Sequence, residues 1–356
     1  MINATDLKNI SIEDSSTIPS EWYFNKDIYE LEKKAIFDKS WHLIGSQSRI
    51  PNCGDTLNTK VLNEPILIVR QKDLSLKAFF NVCQHRGGPL VRKNCTVKSF
   101  QCKYHGWIYD IDGSLQKTRD FSGVENFKKQ DYGLKSINIT SWMGLIFINL
   151  SFENVSFPLR NTEIENRVSS IDISNFKYHS RKSYKVECNW KIYIDNYLEG
   201  YHIPFVHPRL NKVIDYKSYK TELYEGYSMQ WALINPELSP YKKSQKSNNN
   251  AAFYFTIFPN ILLNIAPGRL QTNIIEPESP NSCTVHFDYY FENITSENIK
   301  KDFDFSEEIQ LEDIQICEEV QKGVRSRSYN AGRISKQSEQ GLHHFQSYYK
   351  KRLSNG

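Results

Sequence analysis

Between Cys83 and His105 the chain reads CQHRGGPLVRKNCTVKSFQCKYH, with Cys83-x-His85, then sixteen residues, then Cys102-x-x-His105. Each pair supplies one thiolate and one imidazole. Two thiolates and two imidazoles are the ligands of a [2Fe–2S] centre in which histidines replace cysteines on one iron and raise its potential. A structural Cys₂His₂ zinc site is the competing reading. Zinc modules commonly pair Cys with Cys and His with His, whereas each loop here gives one of each. Arg86-Gly87-Gly88-Pro89 supplies a tight turn after the first pair.

A second stretch, residues 189–207, reads NWKIYIDNYLEGYHIPFVH. As one helix ending at Pro204, it places Asp195, Glu199 and His202 on one face and Trp190, Ile194, Tyr197 and Tyr201 on the other. Acids and an imidazole then meet a cavity, and His207 follows on the turn beyond the proline. Two histidines beside carboxylates suit a 2-His-1-carboxylate iron site with open positions for O₂ and substrate. Alone, E-x₂-H-x₄-H fits a satisfied structural histidine pair about as well. A third ligand has to come from elsewhere, and residues 302–319 offer Asp302, Asp304, Glu307, Glu308, Glu312, Asp313, Glu318 and Glu319. Helical phase puts Asp313 at the centre of an apolar face made by Ile309, Ile316, Cys317 and Val320. A carboxylate there is costly unless paired or metal-bound. The other acids fall on the flanks or the solvated face.

These groups need scaffolds. Asn25 is a suitable N-cap for a helix over 27–39 with Ile28, Leu31, Ala35 and Ile36 on one face. Trp41–Gly45 reads as a strand with a structural His42. Residues 65–70 and 76–82 read as a hairpin leading into the first Cys–His loop. Residues 107–109 read as a strand, 110–113 as a turn, and 137–140 and 145–150 as strands. Pro158 to Ile171 reads as a helix and 180–188 as a strand. Tyr241–Asn250 is a polar loop. Alternation through FYFTIF, NILLNI, LQTNII and CTVHFDYYF between 251 and 291 predicts a second antiparallel sheet. Residues 296–325 read as a helix, and the C-terminal tail as partly helical.

The 356 residues suffice for two cored domains. Charged residues make up 24% and the net charge is +4, read as spread along the chain, which gives no case for nucleic-acid binding. No apolar run approaches the ~20 residues of a membrane span, and the N-terminus resembles neither a secretory signal nor a transit peptide. Seven cysteines is an odd number, two of them in the Cys–His pairs, so the other five are expected as thiols in a reducing, cytoplasmic setting.

With both motifs in one chain, the sequence resembles the catalytic α subunits of Rieske non-heme iron oxygenases. The stretches NWK…DNYLEGYHIPFVHP, IFPNILLNIAP and EDIQICEEVQKGVRSRSYNAGR carry the likeness, which is greatest to the choline, betaine and carnitine branch. The resemblance implies an α+β chain: a small antiparallel-β Rieske domain at 41–155, a catalytic domain at 156–356 with a helix-covered antiparallel sheet, and an N-terminal segment, 1–40, packed on the latter. It implies Cys83, His85, Cys102 and His105 as [2Fe–2S] ligands, and His202, His207 and Asp313 on a mononuclear Fe(II). It implies Glu199 as a bridge from one subunit's His105 to the next subunit's His202, with Asp195 as a less defined polar neighbour. Glu at position 199, where the family commonly has Asp, is a variant of the quaternary-ammonium branch. A homotrimer follows from that bridge. No dinucleotide fingerprint occurs in the chain, so an NAD(P)H-dependent flavin reductase or a ferredoxin must be a separate partner. The expected substrate is a small molecule, a quaternary ammonium compound held by cation–π contact, with Trp231, Phe253, Tyr254, Phe255 and Phe258 as candidates. An aromatic ring is the alternative substrate. A Rieske electron carrier without oxygenase activity is the alternative of another class.

Overall fold

The computed structural model describes residues 6–160, 162–235, 237–239, 250–292 and 296–354; most of the polar loop expected at Tyr241–Asn250 lies outside them. The chain forms two compact units, residues 38–160, and residues 1–37 together with 161–356. The division makes the charge uneven, contrary to the expected even spread. The first unit has 17 Lys and Arg against 10 Asp and Glu, leaving 28 against 31 for the second.

Unit 38–160 is built from antiparallel strands. Its larger sheet contains β1 (Trp41–Ser46), β2 (Thr56–Val61), β3 (Glu64–Arg70) and β4 (Leu76–Phe80). The smaller sheet is β5 (Ser99–Gln101), β6 (Ile108–Asp110) and β7 (Leu115–Lys117); β8 (Ser136–Trp142) and β9 (Leu145–Asn149) complete the larger one in the order β1-β9-β8-β4-β3-β2. Successive side chains of a strand point to opposite faces. Ile66 and Ile68 of β3 therefore enter one core, while Leu67 and Val69 enter another with Phe100, Trp107 and Tyr109. The second core lies under the Cys–His loops, which leave β4 and join β5 to β6.

In the other unit, α1 (Lys26–Ala35) starts at Asn25, whose side chain accepts the amides of Asp27 and Ile28. The helix expected over Pro158 to Ile171 shrinks to α2 (Glu163–Arg167). Val168-Ser169-Ser170 is a poor helix sequence, and Ser169 Oγ turns back to the Asn166 carbonyl at 2.8 Å. β10 (Lys177–Val186) precedes α3 (Trp190–Tyr197), α4 (Ile203–Val206) and α5 (Leu210–Val213). β11 (Ile214–Tyr224) and β12 (Tyr227–Ile234), not foreseen as a pair, turn at Glu225-Gly226, where Gly226 has φ +77°. β13 (Ala251–Ile257), β14 (Ile261–Ala266), β15 (Arg269–Ser279) and β16 (Ser282–Phe291) complete a seven-stranded antiparallel sheet, β10-β16-β15-β14-β13-β12-β11. The chain ends with α6 (Ser296–Gly323) and α7 (Gln340–Ser354).

α1, α3 and α7 meet at a buried charge. Glu32 receives Lys191 Nζ at 2.5 Å, Trp190 Nε1 at 2.8 Å and the Tyr349 hydroxyl at 2.5 Å. Removing one partner of such a pair costs about 3–5 kcal/mol because the other charge is stranded. The base of α3 is therefore pinned on two sides. No described helix is long and apolar enough to cross a membrane.

Candidate metal centres and the cavity beside one of them

The two Cys–His loops repeat one backbone device. The Cys83 amide donates to the Gly88 carbonyl and the Gly87 amide to the Cys83 carbonyl, both at 2.9 Å. In the second loop Cys102 donates to Trp107 and Gly106 to Cys102, again at 2.9 Å. Gly87 and Gly106, each at φ above +70°, occupy the left-handed position that this turn needs. A Cβ on Gly88 would come within 3.0 Å of Cys102 Sγ, so the first loop presses on the second loop's sulfur. Asn81 fastens the first loop's far end, accepting from the Leu90 and Val91 amides at 3.0 and 3.1 Å and donating to the Val91 carbonyl at 2.6 Å.

The four side chains form two close pairs, sulfur with sulfur and ring with ring. Cys83 and Cys102 are buried, and burial pushes the Cys83 thiol up, partly opposed by the Tyr109 hydroxyl 3.3 Å away. The His85 and His105 rings lie 4.6 Å apart, and His85 stacks on Trp107 at 4.8 Å. His85 Nδ1 is buried with no hydrogen-bond partner. A buried imidazole nitrogen left so costs free energy, and beside two buried sulfurs it fits a metal cluster.

The second site departs from the single helix expected up to Pro204. α3 stops at Tyr197, and Pro204 stands in the first turn of α4, where its missing N–H is not needed. Two local features break the helix. Glu199 Oε2 takes the amides of Tyr201 and His202, the latter at 3.1 Å, competing with helical bonding. Gly200 lies against the Tyr219 ring, where a Cβ would come within 2.5 Å.

The break changes which residues face the cavity. Tyr193, Asn196 and Tyr197 line it, together with Glu199, His202, His207 and Asp313. Tyr197 was expected on the core side and Tyr201, which is exposed, was too. Asp195, expected beside Glu199 and His202, points away from the cavity: it accepts from the Tyr23 hydroxyl at 2.5 Å and Gln346 Nε2 at 3.2 Å. Burial pushes the Asp195 carboxyl up to about 7, against the bonds from Tyr23 and Gln346 and the charge of Lys191.

His202, His207 and Asp313 offer donor atoms all within 4.8 Å of one another, a set able to hold a metal ion. Both histidines aim Nε2 at Asp313 Oδ1, at 3.9 and 3.1 Å. Their other nitrogens are held by carboxylates, His202 Nδ1 by Glu199 and His207 Nδ1 by Glu312, each at 2.7 Å. Such bonds set the tautomer and aim Nε2 at the metal position. Asn196 Nδ2 donates to Asp313 Oδ1 at 2.6 Å and ties α3 to α6. Burial pushes the His207 imidazole down, but bonds and charge from Asp313 and then Glu312 outweigh it and leave it raised.

Glu312 is a residue that the sequence reading left among the solvated acids. Asp302, ten positions earlier on α6, is another of those acids and is buried, paired with Arg269 at 2.8 Å. Val320, placed on the apolar face with Asp313, is exposed. One turn of α6 thus presents two useful acids, and a phase argument that seeks one ligand finds only Asp313.

The cavity measures about 760 Å³ including its mouth. Its sheet wall includes one cross-strand row, Gln230, Tyr254, Asn264 and Gln271, paired in that order through β12 to β15. Of the five aromatics proposed for substrate, Tyr254 alone faces the cavity. Trp231, Phe253 and Phe255 neighbour the row in sequence and take the opposite face by period-2 alternation, and Phe258 packs on Phe345 and Tyr348. Tyr193, Tyr197, Tyr219 and Phe287 supply the other rings. The Tyr197 and Tyr193 hydroxyls bond Asn264 and Gln310 at 2.7 and 2.6 Å, and that of Tyr219 bonds Gln230.

Residues 173–355 match the family described as ring hydroxylating alpha subunit (catalytic domain), and residues 40–128 match the Rieske [2Fe-2S] domain. The chloroplastic choline monooxygenase of Arabidopsis thaliana is 30% identical over 355 residues, covering 94% of this chain and 82% of that protein. The carnitine monooxygenase oxygenase subunit of Escherichia coli (strain K12) is 30% identical over 348 residues, covering 94% and 92%. Among solved structures, the quaternary ammonium Rieske monooxygenase CntA in complex with L-carnitine superposes with a TM-score of 0.86 at 26% identity, covering 97% of this chain and 99% of that one. Naphthalene 1,2-dioxygenase, at 18% identity and a TM-score of 0.76, shares the fold.

Proposed function

Because this chain belongs to the ring-hydroxylating α-subunit family of Rieske non-heme iron oxygenases, we propose that it is the oxygenase component of a quaternary-ammonium monooxygenase. The family's cofactors are a Rieske [2Fe–2S] cluster and a mononuclear iron, which together supply electrons and O₂ activation. In this reading Cys83, His85, Cys102 and His105 hold the cluster, and His202, His207 and Asp313 hold the iron.

The observation that carries the substrate class is the cavity wall. Tyr193, Tyr197, Tyr219 and Tyr254 stand around a space that also holds the carboxylates of Glu199 and Asp313. Three of the four hydroxyls are bonded to neighbouring amides, which leaves the rings for a ligand. A trimethylammonium group donates no hydrogen bond and is held by aromatic faces and negative charge. The one arginine in the wall, Arg269, is paired with buried Asp302 and adds little positive field. Oxidation at a carbon near the nitrogen follows from placing the cation in this cage. The choline and carnitine monooxygenases above are consistent with the same class.

Glu199 sits between two roles. Its carboxylate orients His202 and accepts the Tyr201 amide, and Tyr201 and Phe205 of the same segment are 51% and 81% exposed. Large exposed apolar side chains around a functional acid suit a second copy of the chain, so we propose the homotrimer in which Glu199 passes electrons from a neighbour's cluster. A separate NAD(P)H-dependent flavin reductase or ferredoxin supplies them. The five cysteines outside the Cys–His pairs are free thiols, which suits a reducing compartment, here the cytoplasm.

Substrate-stimulated O₂ uptake by the reconstituted protein, supplied with reductant, tests the reading. Choline, glycine betaine or carnitine should stimulate uptake, and the isostere with tert-butyl in place of trimethylammonium should not. Stimulation by a neutral aromatic, with none of the three cations active, would leave the oxygenase and remove the substrate class.

A further inference from the structure

Three cysteines that neither metal centre uses lie together inside the catalytic unit. Cys188 and Cys283 are wholly buried and Cys317 nearly so. They come from separate elements: Cys188 from the turn between β10 and α3, Cys283 from β16 and Cys317 from α6. Packing fixes their meeting. Val186 pairs with Cys283 across β10 and β16. The amides on either side of Cys188 are held by α6 residues just beyond Cys317: Glu187 donates to Glu318 Oε1 at 3.0 Å and Asn189 to Gln321 Oε1 at 2.6 Å.

The three sulfurs are not equivalent. Cys188 accepts bonds from Cys283 and then Cys317, which draw its thiol below the ordinary range against burial and the charge of Glu318; the Tyr193 amide adds to them. Cys283 and Cys317 are pushed well up, by donating to Cys188 and by burial. One sulfur is thus disposed to be the thiolate, the nucleophilic form, with two protonated thiols against it. Packing alone, the ordinary role of buried cysteine, calls for no such asymmetry. The trio also lies behind the wall of the metal-site cavity. Tyr193 lines that cavity, and burial and then the charges of Asp313, Cys317 and Cys283 push its hydroxyl up. Cys317 stands one turn of α6 beyond Asp313.

We propose that Cys188, with Cys283 and Cys317 as its resolving thiols, is a trap for hydrogen peroxide formed beside it in the cavity. The source of the peroxide rests on the oxygenase reading: O₂ that takes up two electrons and two protons without oxidising a substrate leaves as H₂O₂. The Cys188 thiolate attacks one peroxide oxygen, the O–O bond breaks, and the departing hydroxide takes a proton to become water. Cys188 is then a sulfenic acid. Cys283 or Cys317 attacks its sulfur, the S–S bond forms, the S–O bond breaks, and a second water leaves with the thiol's proton. Two thiols have lost the two electrons that the peroxide gained. Capture by a neighbour stops Cys188 short of the irreversible sulfinic acid, and an external thiol reductant restores the site. Burial keeps larger reagents away, whereas peroxide is scarcely larger than water and arises on the other side of the wall.

The test uses the full chain with its cofactors, reduced and desalted, and hydrogen peroxide itself as the probe, added in equimolar steps. Samples are unfolded in an alkylating reagent and mapped by peptide mass spectrometry. A disulfide from Cys188 to Cys283 or Cys317 should accumulate while the exposed Cys53 and Cys95 are still alkylated as thiols. Cys283→Ser with Cys317→Ser should yield sulfinic acid at Cys188 in place of the disulfide. Cys188→Ala should leave Cys283 and Cys317 reduced at the same dose. Iron content and the visible spectrum check that each variant has folded, and the wild-type map decides the matter without them. Cys188 still alkylatable after Cys53 and Cys95 have been oxidised overturns the proposal, as does equal oxidation of Cys283 and Cys317 in Cys188→Ala. A second arm supplies reductant and O₂ with no substrate and no added peroxide, and the same disulfide should form. Linkage by added peroxide with none in this arm supports the thiol site and counts against the oxygenase reading. Linkage in neither arm, with substrate-stimulated O₂ uptake intact, removes the thiol site and keeps that reading.

Discussion

The cluster loops take four side chains from 23 consecutive positions, while His207 and Asp313 stand 106 residues apart in the other site. The first arrangement depends on short-range backbone geometry, with two glycines closing two similar turns over a shared core. The second depends on packing: α3 pinned by Glu32 and Lys191, Asn196 reaching α6, and α6 held at one rotation against the sheet. Local sites tolerate strain in the distant core. A site shared between α3 and α6 moves with either helix. The histidines differ as well: His202 and His207 each give Nδ1 to a carboxylate and leave Nε2 for a metal, while His85 has its buried Nδ1 without a hydrogen-bond partner among the described residues.

The largest effect should come from the local site. His105→Ala or Cys102→Ser removes a cluster ligand and should abolish the Rieske absorption and the EPR signal of the reduced protein. The mononuclear iron, held by other elements, should stay near one per chain. Loss of the mononuclear iron together with the cluster would mean that the sites are not independent.

Asp313→Ala should empty the mononuclear site, lowering iron from about three to about two per chain by the ligand sets involved, and leave the visible spectrum untouched. Asp304→Ala and Glu308→Ala are the controls, because these acids pair with Lys300 and Arg209 at the surface. If a control loses iron and Asp313→Ala keeps it, the ligand was misassigned.

Glu312→Gln asks whether the carboxylate behind His207 matters. Outer partners of this kind are worth about 10–100-fold in metal affinity. A competition assay with a chelator should show iron leaving more easily in that range while the cluster is retained. An unchanged affinity would reduce the His207–Glu312 bond to a packing detail.

The smallest effect concerns Asp195, which lies on α3 and faces away from the metal. Its folded-state carboxyl titrates near 7, above the usual 3.8, because it is buried. The folded protein therefore holds a proton that the unfolded chain releases between about pH 4 and 7. The stabilisation is complete below that window and declines as pH rises through it, by about 4 kcal/mol. Denaturation midpoints at pH 5.5 and 8.5 should differ in wild type and differ less in Asp195→Asn. A variant that keeps the full wild-type slope would place the titration on another group.

The chain's order of residues was enough to single out the two Cys–His loops, because the four candidate ligands and the turn glycines lie within one loop pair and need no distant partner. Helical period, with the family resemblance, was enough to bring Asp313 forward as the candidate carboxylate, and the structure places it beside His202 and His207. Tertiary structure decided the rest. The helix before His202 breaks where Glu199 takes the Tyr201 and His202 amides and Gly200 lies against Tyr219, the second a contact nineteen positions along the chain that no local propensity encodes. Asp195 bonds Tyr23 and Gln346, from opposite ends of the sequence, a pairing that only the packed chain brings together. Glu312 gained its role only when α6 was laid against His207. The cavity rings were settled by strand register: one residue's shift along β13 separates Tyr254, which faces the metal site, from Phe253 and Phe255, which face the core. Alternation is visible in a sequence, but which of its two faces is the inner one is fixed only by what packs against the sheet.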